Sequence, residues 1–381
     1  MRKTLFTVLA LAISILTFSS PIDSLENALK SAKGEAKVKI YNELFRAYIN
    51  SDPVRAIGYT REGLALAIEI SDMKGMAASY NNIGVSYRNQ GALDKSLENY
   101  LLSLRIYDSL KNVEGTATTK NNIGTIYSLK KDYSQALKYF EESFAQFTQM
   151  NDTQKVIGSL NNLGNIHSDL QLYEQALKFY SQAMEMTEKT GKIFSDPLNN
   201  IGNLFFKQGN YQKAIDYYKK ALALAKKENN QINVINIMTN MGEVFSKTGQ
   251  TAKAQACLDS ALRYCKDLQV YVYEPQILKN LAGNFAKQGK TKDAYETMLS
   301  YDKAKDRIYG EESTRKIAQM EMALDLQSKE KEVEALKMDA TIRSMELKNT
   351  RMVITIVVLV VIAAISLFNL FLARKKSGTV G

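Results

Sequence analysis

Histidine, cysteine and proline are almost missing from this chain of 381 residues, which has 1 His, 2 Cys and 4 Pro. The lone His167 excludes a histidine dyad, and no G-x-S-x-G, H-E-x-x-H or phosphate-loop pattern occurs. The catalytic reading therefore has nothing to stand on, and a non-enzyme is expected. Cys257 and Cys265 lie eight apart on one expected helix. A rise of about 1.5 Å per residue separates them by roughly 12 Å, too far for a disulfide. Two cysteines without neighbouring histidines make no zinc site, so no metal or cofactor is expected. The scarcity of proline lets long helices run unbroken.

Charge is uneven. The net charge is +10. Arg2 and Lys3 stand at the start, and Arg374, Lys375 and Lys376 at the end. The excess left for the middle of the chain is mild and makes a weak case for nucleic acid.

What is abundant is one short phrase. It reads Asn81-Asn82-Ile83-Gly84, Asn121-Asn122-Ile123-Gly124, Asn161-Asn162-Leu163-Gly164, Asn199-Asn200-Ile201-Gly202, Asn240-Met241-Gly242 and Asn280-Leu281-Ala282. The glycine slot recurs at intervals of 40, 40, 38, 40 and 40. A fixed period of this size means stacked supersecondary units, each unable to bury its apolar face alone. In the third copy, Asn121 to Lys130 reads as a first helix, with Ile123, Gly124 and Tyr127 on one stripe. Lys131-Asp132 turns the chain, and Tyr133 to roughly Met150 reads as a second helix with Ala136, Phe140 and Ser143 inward. The small residues allow two helix axes to approach closely. The slots recur as Gly164, His167, Ala176, Tyr180 and Ala183, as Gly202, Phe205, Ala214, Tyr218 and Ala221, and as Gly242, Phe245, Ala254, Leu258 and Ala261. His167 thus falls in an aromatic slot of the packed face. A degenerate first copy is expected over 38–70, with a capping helix from Ser24 to Lys33.

The small–aromatic–small spacing over roughly 38–305 resembles the tetratricopeptide repeat, although its unit exceeds the usual length of about 34 residues and lacks that family's late proline. Longer units of this kind resemble those of kinesin light chains and bacterial sensor proteins. A HEAT-type array also has a period near 40 but does not predict the Gly/Tyr/Ala/Phe ladder. The expected fold is an all-α solenoid of about six to seven helix pairs over 21–310.

In the resembling family, the first helix of each pair lines the concave surface. Here that stripe is expected to hold Asn82, Asn122, Asn162, Asn200, Asn240 and Asn280, with Asn165 and Asn203 and with Lys207, Lys247 and Lys287. Amides offer both donors and acceptors. A row of them suits either an extended peptide backbone or bonds between neighbouring repeats, and both readings stand. The three lysines would favour an acidic segment or a terminal carboxylate.

The flanks carry further expectations. Residues 1–20 have the shape of a secretory signal, basic and then apolar from Leu5 to Phe18. Residues 311–351 contain neither Gly nor Pro and read as a charged helical stem with a broken seam, which suits a weak dimeric coiled coil or a solvated spacer. Residues 352–373 carry no charge and read as a transmembrane helix, followed by a short basic tail, 374–381. The expected placement is the bacterial cytoplasmic (inner) membrane, crossed once, with the repeats outside and the C-terminus within. This arrangement resembles the input half of membrane-anchored sensor proteins built on this repeat. The expected function is protein or peptide binding, with a sensory role or, alternatively, as a scaffold or chaperone-like factor in envelope or secretion assembly.

Overall fold

Every regular element described in the computed structural model is a helix. The structure describes residues 21–191, 194–310 and 343–359, with scattered positions from 329 to 365. The chain divides into two units, Met1–Met320 and Glu321–Gly381. Fifteen α-helices occupy the described part of the first. They are α1 (Pro21–Ser31), α2 (Gly34–Tyr48), α3 (Pro53–Glu69), α4 (Met73–Asn89), α5 (Leu93–Ser109), α6 (Val113–Leu129), α7 (Tyr133–Gln149), α8 (Thr153–Asp169), α9 (Tyr173–Thr190), α10 (Asp196–Lys207), α11 (Tyr211–Lys227), α12 (Gln231–Lys247), α13 (Thr251–Asp267), α14 (Glu274–Lys287) and α15 (Thr291–Tyr309). A short 3-10 turn, Tyr271–Tyr273, precedes α14. After α1, the helices form seven pairs.

The turns follow from a two-residue device. Ser71, Lys111, Lys131, Asn151, Gly209 and Asn229 take positive φ between 53° and 74°. This left-handed residue closes one helix, and the next residue caps the following one. Asp72, Asn112, Asp132, Asp152, Asn210 and Asn230 each accept the backbone N–H three residues on. Proline sits only where a helix can tolerate it. Pro53, Pro197 and Pro275 stand in first turns, and Pro21 opens α1. The first helix of the third pair starts at Val113, eight residues before the Asn121 expected from sequence. Asn112 is its cap, and the small residues Thr116, Ala117 and Thr119 are its buried face.

Within a pair, the glycine slot meets the large side chain sixteen residues on. A Cβ at Gly84 would stand 2.6 Å from Tyr100 Cε1, and one at Gly164 would stand 2.4 Å from Tyr180 Cε1. Gly124 meets Phe140, Gly202 meets Tyr218 and Gly242 meets Leu258 in the same way. Those side chains are 0–3% exposed. Each such burial is worth about 3 kcal/mol. Gly158, on the same helix as Gly164, has nothing within 4 Å of where a Cβ would stand. Gly164→Ala should therefore cost about 1–3 kcal/mol by overpacking. Gly158→Ala should be neutral or stabilise by up to about 1 kcal/mol, because alanine is the better helix former. Thermal unfolding of the two variants checks both signs.

The first pair is covered by α1. Glu26 on α1 accepts from Tyr48 Oη at 2.5 Å, from Arg55 Nη2 at 2.6 Å and from Tyr59 Oη at 3.1 Å. The Tyr48 hydroxyl above all, then Tyr59 and Arg55, hold its carboxyl below the ordinary value of 4.5, against desolvation that acts the other way. A depressed carboxyl contributes stability above its unfolded value and loses it as pH falls through the folded value. Amide protection over 22–31, taken relative to the intrinsic exchange rate at each pH, should fall on acidification through that lowered value, and Glu26→Gln should lower it at neutral pH. The other end of the array comes back toward this one, since the Val272 N–H donates to the Asn50 carbonyl at 3.2 Å.

The flanking expectations need correction. Among the described residues no helix is long and apolar enough to cross a membrane. The transmembrane helix expected at 352–373 and the single-pass inner-membrane placement are therefore withdrawn. The described helical run of the second unit, 343–359, carries Arg343, Glu346, Lys348 and Arg351 before residue 352, and its apolar described part, 352–359, is too short to span about 30 Å of hydrocarbon. The signal segment 1–20, most of the stem 311–351 and the tail 374–381 lie outside the described residues.

Candidate functional site

The repeated asparagines tie one first helix to the next. Asn122 Nδ2 donates to Asn81 Oδ1 at 2.9 Å, Asn162 Nδ2 to Asn121 Oδ1 at 2.8 Å, and Asn240 Nδ2 to Asn199 Oδ1 at 3.1 Å. At these three joints the asparagine two before the glycine slot thus reaches the asparagine three before it in the preceding repeat. At the first joint Asn82 Nδ2 donates instead to the buried Asn42 Oδ1 at 2.7 Å, which also accepts from Thr60 and Ser79. Asparagine suits this place because one side chain donates and accepts at once.

Asn165 and Asn203 have a different task. Their Oδ1 atoms accept from Tyr180 Oη at 2.7 Å and Tyr218 Oη at 2.6 Å. These buried phenols otherwise lack a partner, and burial first, then the charges of Asp169 and Glu243, raise their pKa values. In the second pair the equivalent position is Val85, and Tyr100 Oη has no partner. Burial pushes that phenol up to about 12.

The lysines expected to make the groove basic are engaged between repeats. Lys207 Nζ binds Asp169 Oδ1 at 2.6 Å, and Lys287 Nζ donates to the Ser246 carbonyl at 2.9 Å. Lys247 lies 4.6 Å above the Phe206 ring, with Glu243 at 3.9 Å. His167 Nδ1 donates to the Leu163 carbonyl at 2.8 Å, and its ring packs on Phe179, the role its aromatic slot predicts. Burial raises both thiols, Cys265 to about 11, so neither is a ready thiolate. Among the described residues no three His, Cys, Asp or Glu side chains are grouped to hold a metal.

The concavity lies along the first helices, nearer their N-terminal turns than the sequence stripe implied. One hollow of about 950 Å³ runs over α2, α4 and α6, lined by Arg46, Lys74, Ala78, Asn81, Asn82 and Thr118 among others. A second of about 680 Å³ runs over α6, α8 and α10, lined by Thr118, Asn121, Gly158, Asn161, Asn162, Asn165 and Asn200 among others. Thr118 and Lys155 line both, so the two make one groove across five repeats. Of the expected residues Asn82, Asn162, Asn165 and Asn200 line it. Asn122, Asn203, Asn240, Asn280 and the three lysines do not line these two hollows. The positions missed are those of the first two turns, such as Ala78, Thr118 and Gly158. They share the 40-residue register with the asparagines, but they precede the point where the helix was expected to begin.

Asn203→Val should strand the Tyr218 hydroxyl in the core and cost about 1–3 kcal/mol. Thermal unfolding measures the loss, and the double variant with Tyr218→Phe should recover much of it.

Models of the tetratricopeptide repeat match residues 75–149, 194–267 and 156–190, so the chain carries these repeats. No curated protein matches it by sequence. Among solved structures, RapI in its apo form aligns at 18% identity and TM-score 0.51, over 71% of this chain and 98% of that one. The Rap conjugation gene regulator of plasmid pLS20, solved in complex with the Phr* peptide, aligns at 14% identity and TM-score 0.53, over 78% of each chain. Aspartyl phosphate phosphatase F from Bacillus subtilis aligns at 16% identity and TM-score 0.51, over 75% of each. At these identities the likeness is one of fold.

Proposed function

We propose that this chain is a protein- or peptide-interaction module that receives an extended segment along the groove of its first helices, and that it serves a regulatory, ligand-sensing role. The observation that carries the reading is a continuous groove across five repeats, floored by small residues and edged by amides. Ala78, Thr118 and Gly158 repeat along the floor, and Asn81, Asn121 and Asn161 along the edge. An extended chain offers N–H and C=O groups at short regular intervals, which such amides can meet without reading much sequence. That a regulator of the same fold is solved with a peptide agrees with this reading. Catalysis is no part of it. One of the matched folds bears the name of a phosphatase, but likeness of fold carries no activity across.

A displayed library of random nonapeptides, selected on the full chain, tests the reading. Extended peptides should be enriched, and Thr118→Arg, which puts bulk and charge where both hollows meet, should weaken them at least tenfold. Lys219→Glu on α11, away from the groove lining, should not. Failure to enrich peptides, or binding indifferent to Thr118→Arg, overturns the reading.

A further inference from the structure

The asparagine rungs have two gaps among the described residues. One is in the seventh pair, where Asn280 faces Thr239 and its Nδ2 has no partner, and the other lies inside the groove. Rungs join Asn122 to Asn81, Asn162 to Asn121 and Asn240 to Asn199. Asn200 and Asn161 occupy the matching slots at the joint between the fourth and fifth pairs, yet no bond joins them. Asn161 is 7% exposed, and its Oδ1 has no hydrogen-bond partner. This joint is the one where the period falls from 40 to 38. The missing residues are taken from the start of α10, which has 12 residues where α8 and α12 have 17. Phe194 and Ser195 stand in place of its first turn. Ser195 is locked there, its N–H and Oγ both donating to Glu228 at 2.8 and 2.7 Å. Phe194 packs beside Phe147 and Ile157, and all three line the hollow.

A second observation falls at the same spot. Gly158 is in mid-helix, where glycine weakens the helix, and packing does not require it because no atom stands near its absent Cβ. At Gly164, two turns on, packing does. A glycine that no neighbour needs, on the floor of a groove, leaves room for another backbone to come close.

We propose that the joint between the fourth and fifth pairs is a subsite for one internal residue of an extended peptide. The backbone N–H of that residue supplies the missing partner of Asn161 Oδ1, its main chain passes over Gly158, and its apolar side chain seats against Phe147, Ile157 and Phe194. The terminal amide of asparagine turns easily about χ2, so Asn161 can present its oxygen to the groove. The residue is internal and not a C-terminus. Among the described residues Lys155 is the single cation lining this hollow, and it is engaged by Glu114 at 2.6 Å and Asp152 at 3.6 Å. The inference rests on the peptide-holding reading above and gives it a location.

The test uses the full chain and the random nonapeptide library. Peptides enriched by the wild-type chain should share an aliphatic or aromatic residue at one position. Gly158→Val should bind them at least tenfold more weakly with unchanged helical circular dichroism, since its side chain points into open space. N-methylation of the peptide at the shared residue should cause a comparable loss, and at residues outside it a smaller one. Two results overturn the subsite while leaving the groove reading intact. One is full binding by Gly158→Val when Thr118→Arg has lost it. The other is an N-methyl scan in which the shared residue is no more sensitive than the rest. No enriched peptide at all overturns both.

Discussion

Contact between a bare helix backbone and a large side chain sixteen residues later holds five of the seven pairs together, and the rest of the unit is arranged around it. Gly84, Gly124, Gly164, Gly202 and Gly242 permit axes close enough for Tyr100, Phe140, Tyr180, Tyr218 and Leu258 to be fully enclosed. Enclosing a tyrosine creates a second requirement, because a phenol in the core needs an acceptor. Asn165 and Asn203, each the residue right after the glycine, supply it. The second pair keeps the glycine and the tyrosine but has Val85 in the acceptor's place. Its packing survives with an unpartnered hydroxyl, so the glycine–ring contact is the more basic of the two demands.

Between pairs, apolar side chains supply most of the burial, and the asparagines set the register. Leu163 and Ile166 of one repeat pack on Ala136 and Phe140 of the repeat before, and Ile201 and Leu204 pack on Ala176 and Tyr180. Such contacts tolerate small slips, whereas an amide-to-amide bond at 2.8–3.1 Å does not. A rung therefore fixes the spacing of two first helices more narrowly than their apolar faces do. Where two residues are lost before α10, the apolar contacts persist and the rung fails.

Much of this was legible in the sequence. The 40-residue period, the turn at Lys131-Asp132, the close approach at the glycines and the packed role of His167 all follow from residues whose chemistry leaves few choices. The start of each first helix was harder to read. Residues 113–120, Val-Glu-Gly-Thr-Ala-Thr-Thr-Lys, hold few large apolar side chains, so their helical period is faint although Thr116, Ala117 and Thr119 are buried. Placing the helix start at Asn121 hid the two turns that carry the groove floor. The asparagine row was found with both of its uses open, because a side chain able to bond a ligand is equally able to bond its own copy one repeat away. The lysines share a real register, while the groups that engage two of them, the Asp169 carboxylate for Lys207 and the Ser246 carbonyl for Lys287, come from the neighbouring repeat and could not be read from the same helix. The stretch at 352–373 was read as a span from its length and lack of charge, and among the described residues no helix is long and apolar enough to cross a membrane.

A regular array has no reason to bind at one place more than another, since each repeat offers its groove the same face. Specificity requires that some repeat differ. Along the groove the differences gather at one joint, while Asn280 and Gly283, which show two of them again in the seventh pair, line neither hollow. The differences at the joint are the shortened α10, the displaced Phe194, the floor glycine that packing does not require and the asparagine left without its partner. Any one of them alone would be a tolerable imperfection of a repeat protein. Their coincidence on the groove side, with the outer helices α9 and α11 keeping full length, argues that the irregularity is confined to the face a ligand meets. The regular repeats on either side then act as the rigid frame that keeps that face in shape.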